Sequence, residues 1–196
     1  MECPQVKIKV GDQVQEYTVI SFIGAGSFGE VFEVEHTLLG ARRAMKFLPA
    51  GSTEKAQAAV AEIEAIRMFA HPAIIEINDA RVFLVGKTPY VAFAMPIADS
   101  GSLESYYASG RIRFSELILY LSQALSGIQA IHNHGILHRD VKPGNILLHS
   151  GRACLSDFGL SISLNAPNIN DVEGYLTHLA PENIAGEPQD HSSDIY

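Results

Sequence analysis

The sequence predicts an α+β protein, with a β-rich first half carrying one helix and a mostly helical second half. Three observations carry that prediction. Alternating β-formers dominate the stretch from Val6 to Leu48. Apolar residues recur at helical spacing in two places, from Ser52 to Phe69 and from about Ser115 to Asn133. The run Ala98-Asp99-Ser100-Gly101-Ser102 reads as a hinge between the two kinds of pattern. Residues 1–98 and 99–196 are therefore expected as two lobes around a cleft, with no internal repeat.

In chain order, Val6, Ile8 and Val10 alternate as a strand does, and Tyr17 to Ile23 is rich in β-formers. Val31 to Glu35 and Ala44 to Leu48 continue the theme, with turns at Gly24, Gly26 and Gly29 and at Leu39-Gly40. From Ser52 the period changes. Val60, Ile63, Ile66 and Phe69 share a helical face, Ser52 or Thr53 caps the start, and His71-Pro72 ends it. Two strands follow, Ile74 to Phe83 and Tyr90 to Met95, around a turn at Gly86-Lys87. The second helix is expected to bury Leu117, Leu121, Leu125, Ile128 and Ile131. Short strands near Ile146 to Leu148 and Ala153 to Ser156 come next, and the tail beyond Gly159 reads as irregular.

Composition narrows the class of function. At 47% hydrophobic and 18% charged residues, the 196-residue chain is globular and long enough to bury a core. A net charge of −8 argues against nucleic acid or an anionic membrane as the main partner. Cys3 and Cys154 lack metal-ligand spacing, which points to reduced thiols in a cytoplasmic protein. The start, Met1-Glu2-Cys3-Pro4-Gln5, lacks the pattern of a signal peptide. The longest apolar stretch, around Tyr90 to Ala98, is too short to span a bilayer.

Several residues carry chemistry. Gly24-Ala25-Gly26-Ser27-Phe28-Gly29 lies between two expected strands, where glycines let backbone N–H groups approach phosphate oxygens; a plain β-turn is the alternative. Lys46, on a strand with apolar neighbours, is either an edge residue or a cation aimed at phosphates. In the second case Glu62 or Glu64 on the following helix would hold it, on different helix faces. The polar run His138-Arg139-Asp140-Val141-Lys142-Pro143-Gly144-Asn145 precedes an apolar strand and is costly to bury without a purpose. Asp140 is suited to accept a hydroxyl proton, Lys142 to balance charge on a phosphoryl group, and Asn145 and Asp157 to bind a magnesium ion.

With these motifs in order, the chain resembles the eukaryotic-type (Hanks-type) protein kinases, bacterial members included, from about Tyr17 to Tyr196. The resemblance implies a bilobal fold, with a five-stranded antiparallel sheet and one helix in the first lobe. It implies transfer of the γ-phosphate of ATP to Ser/Thr hydroxyls of a protein substrate, with Mg2+, or Mn2+ in its place. Gly24, Gly26, Ser27 and Gly29 then resemble the phosphate-covering loop, and Lys46 the lysine on the α- and β-phosphates with Glu62 as its helix partner. Val31, Ala44 and Leu147 resemble the residues around adenine, Met95 the gatekeeper, and Pro96 and Ala98 the hinge. Asp140 resembles the catalytic base, Lys142 the phosphate-balancing lysine of the serine/threonine type, and Asn145 and Asp157 the metal ligands. Ile66, Ile77, Phe158 and His138 resemble the apolar stack that links the lobes.

The departures from the family pattern carry their own expectations. Tyr175 follows Gly174 where a threonine is usual, and Thr177 lies two residues further on. Asp171 occupies the usual phosphosite, either as a built-in charge for Arg139 or as a solvated loop residue. Only Asp194-Ile195-Tyr196 represents the helix that follows Ala180-Pro181-Glu182, so the second lobe is expected to be incomplete and Glu182 to lack its usual arginine. Either the chain is a piece of a longer protein or a partner chain covers the exposed apolar surface. A pseudokinase-like binding module and a small-molecule phosphotransferase are the alternative readings.

Overall fold

The computed structural model describes residues 7–26, 29–50, 52–68, 70–85, 87–157, 162–163 and 180–196. They divide into two compact units, Met1–Met68 with Glu76–Ile97 and Phe69–Ile75 with Ala98–Tyr196.

The first unit is a six-stranded antiparallel sheet with one helix. The strands are β1 (Gln13–Val14), β2 (Tyr17–Gly26), β3 (Gly29–His36), β4 (Arg42–Pro49), β5 (Asp79–Val85) and β6 (Thr88–Met95), ordered β1-β2-β3-β4-β6-β5. Period-two alternation sends Val19, Phe32, Val34, Met45, Phe47, Tyr90, Ala92 and Ala94 into one core cluster. Phe32, Phe47 and Phe83 meet edge to face in succession, and the exposed Phe22 caps the row on Phe32, with centroids 5.4–5.7 Å apart. Arg81 on edge strand β5 hydrogen-bonds Gln15 and pairs with Glu16 at the turn joining β1 to β2. The sheet therefore curls until its two edges are side by side, an extreme of the twist that strands carry. Helix α1 (Thr53–Arg67) lies along β5 and β6 and is capped by Ser52, whose Oγ accepts the Lys55 N–H at 3.3 Å.

Five of these strands match the expected segments; β1 is an addition, and the expected strand from Val6 to Val10 is not formed by its described residues. A turn closed by Asp12 N–H to the Lys9 carbonyl ends that segment at Gly11, whose φ of +92° suits glycine. Ile8 is buried while Val10 is 60% exposed, so the alternation is not kept. The strand expected from Ile74 begins only at Asp79, because Ala73, Ile74 and Ile75 belong to the second unit.

The second unit contains α2 (Leu103–Ala108), α3 (Phe114–His132), β7 (Ile136–Leu137), β8 (Ile146–His149), β9 (Arg152–Leu155), β10 (Ile162–Ser163) and α4 (Pro181–Ala185). β8 and β9 form a hairpin turned by Ser150 and Gly151, both at positive φ, the geometry that matches strand twist in a two-residue turn. Ile74 bridges Leu155 in parallel, with Leu155 N–H to the Ala73 carbonyl and Ile75 N–H to the Leu155 carbonyl, each 2.8 Å. The Cys154 thiol completes this seam by donating to the Pro72 carbonyl at 3.5 Å, across 82 residues of sequence.

Helix α3 is where expected and buries Ile128 and Ile131 as expected, but Leu117, Leu121 and Leu125 do not join them. Tyr120, Ala124, Gly127, Ile128 and Ile131 are buried, whereas Leu121 and Leu125 are 41% and 52% exposed and Leu117 is half-buried. The cause is Gly127. A Cβ there would stand 2.7 Å from the Ala73 carbonyl oxygen and 2.9 Å from Leu155 Cδ1, so the helix turns its smallest residue to the closest approach. Among the described residues, no helix is long and apolar enough to cross a membrane.

Candidate active site

Two sets of expected site residues lie in the two units. In the first, sheet register aligns them. Gly24 pairs with Val31, Val31 with Lys46, Lys46 with Phe93, and Ala44 with Met95. Directly opposed residues share a face, and so do residues two apart on a strand. Gly24, Val31, Ala44, Lys46 and Met95 thus occupy the face opposite the Phe32–Met45–Phe47 core. Lys46 is only 2% exposed, which removes the edge-residue alternative. Glu64 is engaged by Arg67 Nη1 at 3.1 Å to both carboxylate oxygens. The side chain of Glu62 lies outside the described residues, as do Ser27, Phe158, Asp171, Tyr175 and Thr177. Gly26 pairs with Gly29 at the mouth of the β2–β3 hairpin. Gly29 has a steric reason as well: a Cβ there would lie 2.0 Å from the Phe47 carbonyl oxygen.

In the second unit, the loop between β7 and β8 is cross-braced around Asp140, itself 5% exposed. Lys142 Nζ donates to both Asp140 oxygens, at 3.0 and 2.8 Å. Asn145 Nδ2 donates to the Asp140 carbonyl and to Oδ2, both at 2.8 Å. Because these bonds leave from Nδ2, they do not use the amide oxygen of Asn145, the hard donor that a magnesium ion takes. Ser156 N–H and Oγ both donate to the Asn145 carbonyl at 2.9 Å, continuing the hairpin register past Ile146 and Leu155. Asp157 is the next residue, at φ +69°, so two oxygen-bearing side chains lie at the open end of one hairpin. That donor set fits a hard divalent cation. Leu147, expected beside adenine, lies on β8 and bridges Ser102, and Ala98 opens the longer segment of this unit, its carbonyl accepting from Gly101 N–H at 3.3 Å. Pro96 follows β6 in the first.

The loop is anchored from below by Asp194. Its Oδ2 accepts the His138 N–H and its Oδ1 the Arg139 N–H, each at 2.7 Å, and Oδ2 lies 2.8 Å from His132 Nε2. His191 stacks on His132 with ring centroids 4.2 Å apart. His138 is fully buried; its Nδ1 accepts the Asp140 N–H at 3.3 Å, and its Nε2 lies 2.9 Å from the Ser156 carbonyl. Burial pushes the imidazole below its ordinary pKa, and Lys142 adds to that; Asp194, the Ser156 carbonyl and Asp140 pull the other way. Glu182, expected to lack the family's usual arginine, accepts a hydrogen bond from Ser193 Oγ, eleven residues downstream, at 2.6 Å. His132, Ser156 and Ser193 were not legible as site residues, since each matters through a contact that local spacing does not encode. Of the apolar stack, Ile66 and Ile77 are buried in the first unit and His138 in the second.

Comparison with known proteins gives a consistent picture. The sequence profile described as "Protein kinase domain" matches residues 17–196. The chain is 31% identical to Serine/threonine-protein kinase 36 of Pongo abelii, over 93% of this chain and 14% of that protein. It is 30% identical to the Probable serine/threonine-protein kinase PknB of Lactococcus lactis, over 92% of this chain and 30% of the relative. It is also 30% identical to Serine/threonine-protein kinase PknA of Mycobacterium tuberculosis, over 92% of this chain and 44% of the relative. The chain thus spans less than half the length of these curated relatives.

Proposed function

This chain belongs to the protein kinase family, and on that premise we propose that it transfers the γ-phosphoryl group of ATP to Ser/Thr hydroxyls of a protein substrate. The observation that carries the reading is the bracing of Asp140 between Lys142 and Asn145 in a loop tied to Asp194.

The acceptor hydroxyl gives its proton to an Asp140 oxygen as its own oxygen bonds to the γ-phosphorus. The bond from that phosphorus to the β–γ bridging oxygen breaks, and ADP leaves. Lys142, already against Asp140, offsets negative charge on the group in transfer. Lys46, with Glu62, holds the α- and β-phosphates, and the backbone of Gly24, Gly26, Ser27 and Gly29 covers them. Val31, Ala44, Met95, Pro96, Ala98 and Leu147 receive the adenine. Asn145 and Asp157 hold a magnesium ion, with manganese as the alternative. When bound, the ion neutralises phosphate charge. A buried free thiol at Cys154 and the use of ATP support a cytoplasmic setting.

The test is incubation with ATP labelled at the γ-phosphate, magnesium and generic protein substrates. The wild type labels serine or threonine, and Asp140→Asn lowers the rate by roughly 10²- to 10⁴-fold while nucleotide binding persists. Nucleotide binding with no label on the protein or any substrate would identify a binding module instead.

A further inference from the structure

Resting on the proposed hold of Asn145 and Asp157 on a divalent cation, we propose that Ser156 is a positioning residue whose hydroxyl sets the spacing of those two ligands. It thereby sets the affinity of the site for the ion. Ser156 is buried, at 4% exposure. Its N–H and its Oγ both donate to the Asn145 carbonyl at 2.9 Å, and its own carbonyl lies 2.9 Å from His138 Nε2. Asn145 and Ser156 face each other one step beyond Ile146 and Leu155, the last pair of the β8–β9 hairpin. An antiparallel pair at such a step exchanges two backbone bonds, one in each direction. Here the return bond is diverted. Asn145 N–H donates to the Lys142 carbonyl at 2.9 Å, and the Ser156 carbonyl is taken by His138. The Ser156 hydroxyl supplies the second bond of a rung that the backbone completes only by half.

That rung spaces the two ligands. The side chain of Asn145 is fixed through Nδ2, which bonds Asp140 twice at 2.8 Å, so its backbone carbonyl is the handle offered to the opposite strand. Asp157 is peptide-bonded to Ser156 and leaves the strand at φ +69°, a conformation that a residue with a Cβ holds only where its surroundings impose it. Two bonds that converge on one carbonyl, from the N–H and the Oγ of the same residue, fix Ser156 in rotation as well as in distance. They therefore fix the direction in which Asp157 departs. A single bond leaves that rotation free. Magnesium demands near-octahedral oxygen geometry, so a small change in ligand spacing reads out as lost affinity. Alanine at this position leaves the Asn145 carbonyl bonded to the N–H and strands no buried acceptor, so the hairpin survives the loss.

The experiment titrates the full chain with Mn2+ in the presence of a non-hydrolysable ATP analogue and reads bound ion by electron paramagnetic resonance. Binding of the analogue in EDTA is measured alongside. Ser156→Ala weakens Mn2+ binding by roughly three- to tenfold, as for the loss of one hydrogen bond, and leaves analogue affinity in EDTA unchanged. Ser156→Thr keeps the hydroxyl and restores the wild-type affinity. Ser156→Cys, with a weaker donor, falls between, and it decides the matter should the alanine variant not fold. Wild-type Mn2+ affinity in Ser156→Ala, or in Ser156→Cys where that variant stands in, overturns the assignment. So does an equal loss of analogue affinity in EDTA, which would place the effect on the nucleotide, and so does a loss that threonine leaves in place. If the wild type binds no Mn2+, or if Asp157→Ala binds it as well as the wild type, the metal reading fails and takes the proposal with it. A loss in Asp157→Ala with none in Ser156→Ala sinks the proposal alone.

Discussion

His138 has both ring nitrogens committed and no surface in contact with solvent. Since Nδ1 accepts the Asp140 N–H, the ring proton sits on Nε2 and is donated to the Ser156 carbonyl. A second proton would land on Nδ1 and displace the bond that helps aim Asp140. Burial lowers the folded-state pKa, while the unfolded chain titrates near about 6.5. Below that value the unfolded state binds a proton that the folded state refuses. The stability is therefore complete above pH 6.5 and declines as pH falls toward the lowered folded value. The unfolding free energy from urea titration should drop between pH 7.5 and 5.5, with a slope approaching about 1.4 kcal/mol per pH unit. His138→Leu, though less stable overall, should show a shallower slope; an unchanged slope would assign the titration to another group.

The helix α3 illustrates competing effects at the scale of an element. Alanine is a better helix former than glycine by about 1 kcal/mol, which alone would make Gly127→Ala stabilising. The added Cβ meets a backbone oxygen at 2.7 Å and Leu155 Cδ1 at 2.9 Å, and such overpacking costs about 1–3 kcal/mol. The backbone oxygen cannot rotate away, so the clash wins. Gly127→Ala is expected to lower the unfolding free energy by about 1 kcal/mol, and a raised urea midpoint would show that the helix slides without cost. The same glycine explains a limit of the sequence reading. Periodicity located α3 and α1 within a residue or two, and alternation located five strands, because those signals are local. It assigned Leu121 and Leu125 to the core because they are the larger apolar side chains, whereas the close approach is made by Gly127, which periodicity weighs at nothing. Helix α2 escaped notice because Ser102 and Ser105 resemble loop residues until their reciprocal capping bonds form.

At the scale of the molecule, the second unit is held by ties between segments distant in sequence. Asp194 joins α3 through His132 to the catalytic loop, across 62 and 56 residues. Asp194→Asn offers one acceptor oxygen where two N–H groups need one each, and the amide's own donors face those groups. It should cost about 3 kcal/mol, speed hydrogen exchange at the His138 and Arg139 amides, and abolish phosphate transfer. Amides that remain as slow as in the wild type would show that another contact holds the loop. Asp140, Lys142, Asn145 and Lys46 stood out because each sits in a short motif; Asp140, Asn145 and Lys46 are buried, and Lys142 and Asn145 both bond Asp140. The rest of the support, from His132, Ser156 and Ser193, exists only once remote segments meet. The seam joining Pro72–Ile75 to Cys154 and Leu155 carries this further, into the order of synthesis. Translation delivers Pro72 82 residues before Cys154, an interval on the order of ten seconds. Through that interval the nascent stretch has no β9 to bond. A break anywhere between residues 76 and 97 would leave a second fragment without Pro72–Ile75, the segment that Cys154 and Leu155 bond.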